Sequence, residues 1–290
     1  MLFDEKTLRK LDRLALVASK VRAGVMKGER RSTKRGTSIE FADYRDYTRG
    51  DDLRRVDWNV YARLERPFIK LLEEEEDLAV HILLDVSQSM NYGADEAHKF
   101  RYAQRLTAAL GHIALAAGDR LTVTALASTS RFGPARGRGY TLRLLQFLEG
   151  LQPRGVTHLD AALRTYALSA KRPGLAFLIS DLFSPSGYRD GLAQLQGRGY
   201  EVTLLHLLAP EEVEPPLAGD LRLIDAETGV SQDVTLDGSL RELYRKRVAA
   251  WRSEIETHCL KRGAHYVPIL THTAWDELVL HQLRHRGLIK

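Results

Sequence analysis

The stretch from Leu78 to Met90 constrains the fold more than any other part of this chain. Leu78, Ala79, Val80, Ile82, Leu83 and Leu84 form a nearly continuous apolar run, the pattern of a strand covered on both faces of a parallel sheet. The run ends in Asp85, Ser87 and Ser89, so a polar cluster sits at a strand's carboxyl end. Open α/β sheets bind ligands there, at the switch point between strands, and oxygen side chains at alternate loop positions can converge on one ion. A metal site is therefore the first hypothesis.

A second apolar run, Leu175 to Ile179, also ends on an acid, Asp181. Strands are expected over 120–127, 200–208 and 266–270. Helical spacing is found over 95–117, 140–151, 156–170 and 188–196, over 239–262 with Ser239 as its cap, and over 275–286. Strands alternating with helices predict an α/β fold, a doubly wound and mostly parallel sheet, over residues 77–290, interrupted by a hairpin over 221–236.

Residues 1–76 are expected to pack on that sheet as a helix and a small β-rich element. Leu8, Leu11, Leu14, Ala15 and Ala18 fit an amphipathic helix over 4–25, and a basic loop spans 28–36. A short strand is expected over 37–41, then a turn at Gly50 with Asp51 or Asp52 capping a short helix. An Arg–Asp network is expected to pin that turn under Trp58, with Arg54 reaching back to those carboxylates. Two extended segments should follow over 59–72.

Composition narrows the functional classes. The single cysteine, Cys259, excludes an intramolecular disulfide, and no apolar run reaches the ~18 residues of a membrane span, so a cytoplasmic location is expected. The net charge of +5 is concentrated in Lys27, Arg30, Arg31, Lys34 and Arg35. Nucleic-acid binding through residues 27–35 is one alternative this allows. A solvated loop is the better reading, because no aromatic residue is interleaved to stack a base.

Asp85, Ser87 and Ser89 after one strand, Thr157 before a helix and Asp181 after a second strand together resemble the metal-ion-dependent adhesion site of von Willebrand factor A domains. The resemblance implies a bound Mg²⁺ or Mn²⁺ with an exchangeable position for a carboxylate supplied by a protein partner. It also implies that Ser87 and Ser89 ligate directly, and that Asp85, Thr157 and Asp181 do so directly or through water. Independently, a hard cation such as Mg²⁺ suits an all-oxygen site.

Glu40-Phe41, Arg45, Tyr47, Gly50-Asp51-Asp52, Arg54, Asp57-Trp58 and Ala62-Arg63, ahead of that loop, are similar to the signature of the bacterial "domain of unknown function 58" family. Its members join such a segment to a von Willebrand A-type domain. This resemblance implies partnership with a MoxR-type AAA+ ATPase and a non-enzymatic adaptor role. Arg45, Arg54 and His158 are candidate partner-binding residues, with His158 on the rim of the metal loop rather than a ligand.

The strongest enzymatic alternative is a phosphatase with Asp85 as nucleophile. Ser87 stands where such an enzyme places its second acid, so no group is left to protonate the leaving group. Ser87 and Ser89 lie outside any Gly-x-Ser-x-Gly elbow, and no P-loop motif occurs. His281 and His285 are one turn apart, but Gln282 replaces the acid of a zinc-protease helix, and an exposed helix face explains them better.

Overall fold

The computed structural model describes residues 3, 5–18, 39–74, 78–126, 128–169, 172–216, 219–225 and 229–290. They fall into two compact units, Met1–Met26 with Leu78–Lys290, and Lys27–Asp77. The first helix thus groups with the sheet and not with the segment that follows it in sequence.

The larger unit is built on a six-stranded sheet. Its strands are β3 (Ala79–Asp85), β4 (Arg120–Leu126), β5 (Arg131–Arg136), β6 (Leu175–Ser180), β7 (Glu201–Leu208) and β10 (His265–Leu270). They lie in the order β10-β7-β6-β3-β4-β5, all parallel except for the antiparallel edge pair β4–β5. Every residue of β3 is buried, as its unbroken apolar run requires. Val80, Ile82 and Leu84 point into one core, with the helix Lys99–Ala116, the helix Thr141–Glu149 and the closing segment around Leu278 and Leu283. Leu83 points into the other, with the helices Leu159–Ser169, Arg189–Gly197 and Gly238–Arg262. The sheet is therefore covered on both faces, in keeping with a doubly wound arrangement. Among the described residues no helix is long and apolar enough to cross a membrane.

Several expected elements are redrawn. The first helix covers only Glu5–Leu11; beyond it Leu14, Leu16 and Ala18 are buried at alternate positions. The Ala15 and Val17 amides donate to the carbonyls of Lys290 and Leu288, so this stretch is extended and paired with the C-terminus. Its apolar residues satisfy a period of two as well as a helical one, and the available backbone partner decides between them. Residues 19–25 and the basic cluster Lys27, Arg30, Arg31, Lys34 and Arg35 lie outside the described residues. The cap of the helix Gly238–Arg262 is Asp237, whose Oδ1 accepts from the Leu240 amide at 2.8 Å; Ser239 instead donates its hydroxyl to Asp237. The closing helix contains a π-helical turn over Leu278–Gln282.

In the smaller unit, β1 (Ile39–Asp46) pairs antiparallel with β2 (Phe68–Glu74). Between them Trp58–Leu64 is helical, where an extended segment is expected from sequence. Asp57 nucleates this helix by accepting from the Asn59 and Val60 amides, and Glu65, at φ +54, ends it. Trp58 is 59% exposed, so it does not cover the preceding turn. The hairpin of β8 (Gly219–Ile224) with β9 (Ser231–Leu236) is present as expected.

Two features of the core, one polar and one tightly packed, make stability sensitive to pH and to substitution. His81 is the one polar residue within β3 before its terminal acid; its Nε2–H donates to the Arg172 carbonyl at 3.0 Å, and its Nδ1 accepts from the Tyr166 hydroxyl at 2.7 Å. Burial pushes its pKa down to about 4, so the native state binds this proton less readily than the unfolded chain. Stability should therefore be full above pH ~6.5, fall by about 3 kcal/mol as pH drops toward 4, and then level off. Urea unfolding across this range should show His81→Gln to lack that part of the slope. Gly174, just before β6, leaves no room for a side chain, since a Cβ there would lie 2.1 Å from the Ala79 carbonyl oxygen. Gly174→Ala should lower stability by about 1–3 kcal/mol, with an unchanged denaturant slope.

Candidate metal centre

The sheet order brings the polar cluster together. From β3 the chain moves outward to β4 and β5, then returns to the other side of β3 as β6, which makes the β3–β6 boundary a topological switch point. Leu84 lies opposite Ile179 in this parallel pair, so Asp85 and Ser180 end adjacent strands and Asp181 follows immediately. The loop carrying Thr157 is stapled to the loop after β3 by two backbone bonds of 2.8 Å, from Arg154 to Val86 and from Gln88 to Gly155.

Asp85 is buried, and both carboxylate oxygens are engaged. Oδ1 accepts from the Ser87 amide at 3.0 Å and the Thr157 hydroxyl at 2.8 Å, and Oδ2 from the Ser180 hydroxyl at 2.6 Å. The Ser87 and Ser89 hydroxyl oxygens lie 3.0 Å apart. Asp181 is fully buried; Oδ1 accepts from the Phe183 amide at 3.0 Å and Oδ2 from the Lys99 ammonium at 2.7 Å. Leu182, between them, adopts φ +60, a sparsely populated conformation for a branched residue that turns the backbone tightly at this point.

Lys99 is the unexpected member. It begins the helix Lys99–Ala116, is fully buried, and also reaches Glu212 Oε1 at 2.6 Å. Glu212 lies in the short helix Pro210–Val213, and its Oε2 accepts from the Ala209 amide. The rings of Phe183 and Tyr92 stand 5.1 and 5.7 Å from the ammonium and help to enclose it. One ammonium thus serves two buried or half-buried acids, and a third, Asp85, lies beside them. Burial, then the neighbouring Asp181 charge, pushes the Asp85 pKa up against the pull of its hydrogen bonds. Burial also raises that of Glu212, against the attraction of Lys99.

All five residues expected around the ion, Asp85, Ser87, Ser89, Thr157 and Asp181, fall in the two strand ends and loops just described. His158 follows Thr157 and is exposed. Arg45 and Arg54 belong to the Lys27–Asp77 unit. Arg45 donates to Asp51 at 2.8 Å and to Thr48 at 3.2 Å, and the Arg45 bond, with those Asp51 accepts from the Thr48 amide and hydroxyl, holds the Asp51 carboxyl well below the usual range. Arg54 is exposed, and only its amide, not its side chain, is seen to meet the Asp52 carboxylate. His281 and His285 are exposed on the closing helix. Among the described residues no group of three or more His, Cys, Asp or Glu is arranged around a metal position; the donors gathered here are two carboxylates and three hydroxyls.

Sequence reasoning missed Ser180, Lys99 and Glu212. Lys99 carried a signal, since it heads the buried stripe of Ala103, Leu106, Leu110 and Ile113, where a solvated lysine has no place. Glu212 carried none, because its position depends on where β7 ends.

Comparison with known proteins adds relatives and a family. The chain is 28% identical over 277 residues to the uncharacterized protein Rv1480 of Mycobacterium tuberculosis, covering 94% of this chain and 87% of that protein. It is 31% identical over 162 residues to the uncharacterized protein MAV169 of Mycobacterium avium, covering 54% of this chain and 95% of the relative. Among solved structures it is similar to the conserved hypothetical protein BatB from Bacteroides thetaiotaomicron, with TM-score 0.42, 15% identity and coverage of 72% of this chain and 99% of that one. An aerotolerance-related membrane protein from Bacteroides fragilis gives TM-score 0.44 and 17% identity, covering 71% of this chain and 99% of that one. The family model described as "Protein of unknown function DUF58" matches residues 43–254, most of the chain, which therefore belongs to the DUF58 family.

Proposed function

We propose that the protein is a divalent-cation-dependent protein-binding adaptor, with a von Willebrand A-type arrangement of sheet and loops. The observation that carries this reading is the buried Asp85 carboxylate. It has hydroxyl and amide partners but, among the described residues, no basic side chain, and it lies beside a second buried acid. Buried charge of one sign is costly unless a counter-charge reaches it, and a hard divalent ion would supply that charge.

The donor set fits such an ion. Asp85, Ser87, Ser89, Thr157 and Asp181 offer only oxygen atoms, as Mg²⁺ and Mn²⁺ prefer. Adjacent ligands of an octahedral Mg²⁺ lie about 3.0 Å apart, given metal–oxygen distances of ~2.1 Å. The Ser87 to Ser89 and Thr157 to Asp85 spacings of 3.0 and 2.8 Å are compatible with that edge. When bound, the ion supplies a Lewis-acidic position at the edge of the sheet for a carboxylate of the partner. Because three of the five protein donors are neutral hydroxyls, much of the ion's charge remains available for it. Exposed His158 stands on the rim where that partner would approach. By family resemblance the partner is a MoxR-type AAA+ ATPase.

The phosphatase alternative asks more of Asp85. As a nucleophile it would need an acid nearby to protonate the leaving group, and the position two residues on holds the hydroxyl of Ser87 instead.

Thermal unfolding with Mg²⁺, Mn²⁺ or EDTA tests the proposal. At a hundredfold excess over its dissociation constant the ion should stabilise the wild-type protein by about 2.7 kcal/mol. Asp85→Ala and Asp181→Ala should not respond to either ion, and capture of the partner ATPase should disappear in EDTA. A wild-type melting temperature indifferent to both ions, with partner capture unaffected by EDTA, would refute it.

A further inference from the structure

We propose that Lys99 is a built-in counter-cation of the metal centre: its ammonium holds the Asp181 carboxylate in the metal-free protein and moves fully onto Glu212 when a divalent ion takes Asp181. This rests on the metal-binding reading above and adds to it the residue that sets the site's affinity.

Three observations carry it. The ammonium is fully buried and bonded to both acids at once, at 2.7 Å to Asp181 and 2.6 Å to Glu212, so losing one partner leaves it with the other. The two acids have different second partners. Asp181 Oδ1 is held by the Phe183 amide, whereas Glu212 Oε2 is held by Ala209, which anchors that acid outside the five-residue donor set. Finally, Lys99 enters from the side, on the helix Lys99–Ala116, with Tyr92 and Phe183 around it. A lysine stem has four rotatable carbons and can shift its ammonium without moving the helix.

The chemical consequence is competition. An ion that takes the Asp181 oxygen facing the ammonium must break the Lys99–Asp181 bond, and a hydrogen bond to a charged group is worth about ten- to a hundredfold in an equilibrium constant. Lys99 therefore weakens metal binding by about that factor, yet keeps the metal-free cluster folded by pairing acids that would otherwise be buried alone. Glu212 gives the displaced ammonium somewhere to go, which limits the penalty.

The test is direct Mn²⁺ binding, read by the paramagnetic resonance signal of free Mn²⁺, on wild type, Lys99→Met, the double variant Lys99→Met with Glu212→Gln, and Asp85→Asn. Lys99→Met adds net negative charge to the cluster, which alone would draw the ion. The double variant removes one charge of each sign, so tighter binding there reports the freed Asp181 carboxylate. It is also the variant expected to fold if unpaired Glu212 destabilises the single one, which far-ultraviolet circular dichroism checks. The proposal expects the double variant to bind Mn²⁺ about ten- to a hundredfold more tightly than wild type, and to lose more melting temperature than wild type in EDTA. Equal or weaker binding by the double variant, with wild type binding and Asp85→Asn not, would overturn the role of Lys99 and leave the metal site standing. Equal binding by wild type and Asp85→Asn, or binding by no form, would overturn both.

Discussion

The burial of like charge at the carboxyl ends of two adjacent parallel strands is the constraint on which the rest of this structure turns. Parallel pairing of β3 with β6 places Asp85 next to Ser180 and Asp181, and it does so below a surface sealed by helices on both faces of the sheet. Carboxylates in such a place must be neutralised, hydrogen-bonded or both. The protein answers with short side chains and amides, from Ser87, Thr157, Ser180 and Phe183, and with a single ammonium. Even the nearby histidine is used as a dipole. His206 donates Nε2–H to the Asp181 carbonyl and accepts from Tyr266, and burial keeps it neutral by pushing its pKa down to about 4. It fixes the backbone at Asp181 without adding positive charge.

What could be read from the residues follows from which forces act locally. Continuous apolar runs in β3 and β6 are buried because a two-sided sheet requires it, and their terminal acids mark the strand ends, so the α/β architecture and the meeting of Asp85 with Asp181 at one sheet edge were legible. Elements decided by distant partners were not. The stretch 14–18 is extended because the C-terminal residues 288–290 pair with it, and nothing within twenty residues signals that. The helix Trp58–Leu64 escaped for a different reason. Its Asp57 cap stands in the sequence, but the pair of extended segments expected over 59–72 leaves that cap out of account, and capping decides where the helix starts. Lys99 was missed through reading only the apolar members of its helix.

The Lys27–Asp77 unit shows how signature residues can be structural. Arg45 spans the turn to Asp51 and Thr48, Asp52 caps the following turn, Asp57 caps the helix, and Tyr44 donates to Asp57 Oδ2 at 2.9 Å. These polar residues hold one another, so Arg45, Asp51, Asp52 and Asp57 serve the fold of this segment. The aromatic members behave differently. Trp58 and Tyr61 pack edge to face with their centroids 5.9 Å apart and remain largely exposed, so they are not consumed by the fold in the way Arg45 and Asp57 are.

A site that carries its own cation differs physically from one built only of ligands. In a site of bare carboxylates, removal of the ion leaves repelling charges in the interior, and folding becomes hostage to the metal. With Lys99 between Asp181 and Glu212, part of that repulsion is already relieved, so the cluster can keep its packing without an added ion. The cost falls on affinity. The proposed ion would find five oxygen donors in the protein, one short of the six that Mg²⁺ prefers, and a carboxylate arriving from outside could supply the sixth. On this view the lysine does not oppose the binding function. On the proposed reading it would move the point of tight ion capture from the isolated protein to the complex, where a partner's carboxylate would fill the coordination position that the five protein oxygens leave open.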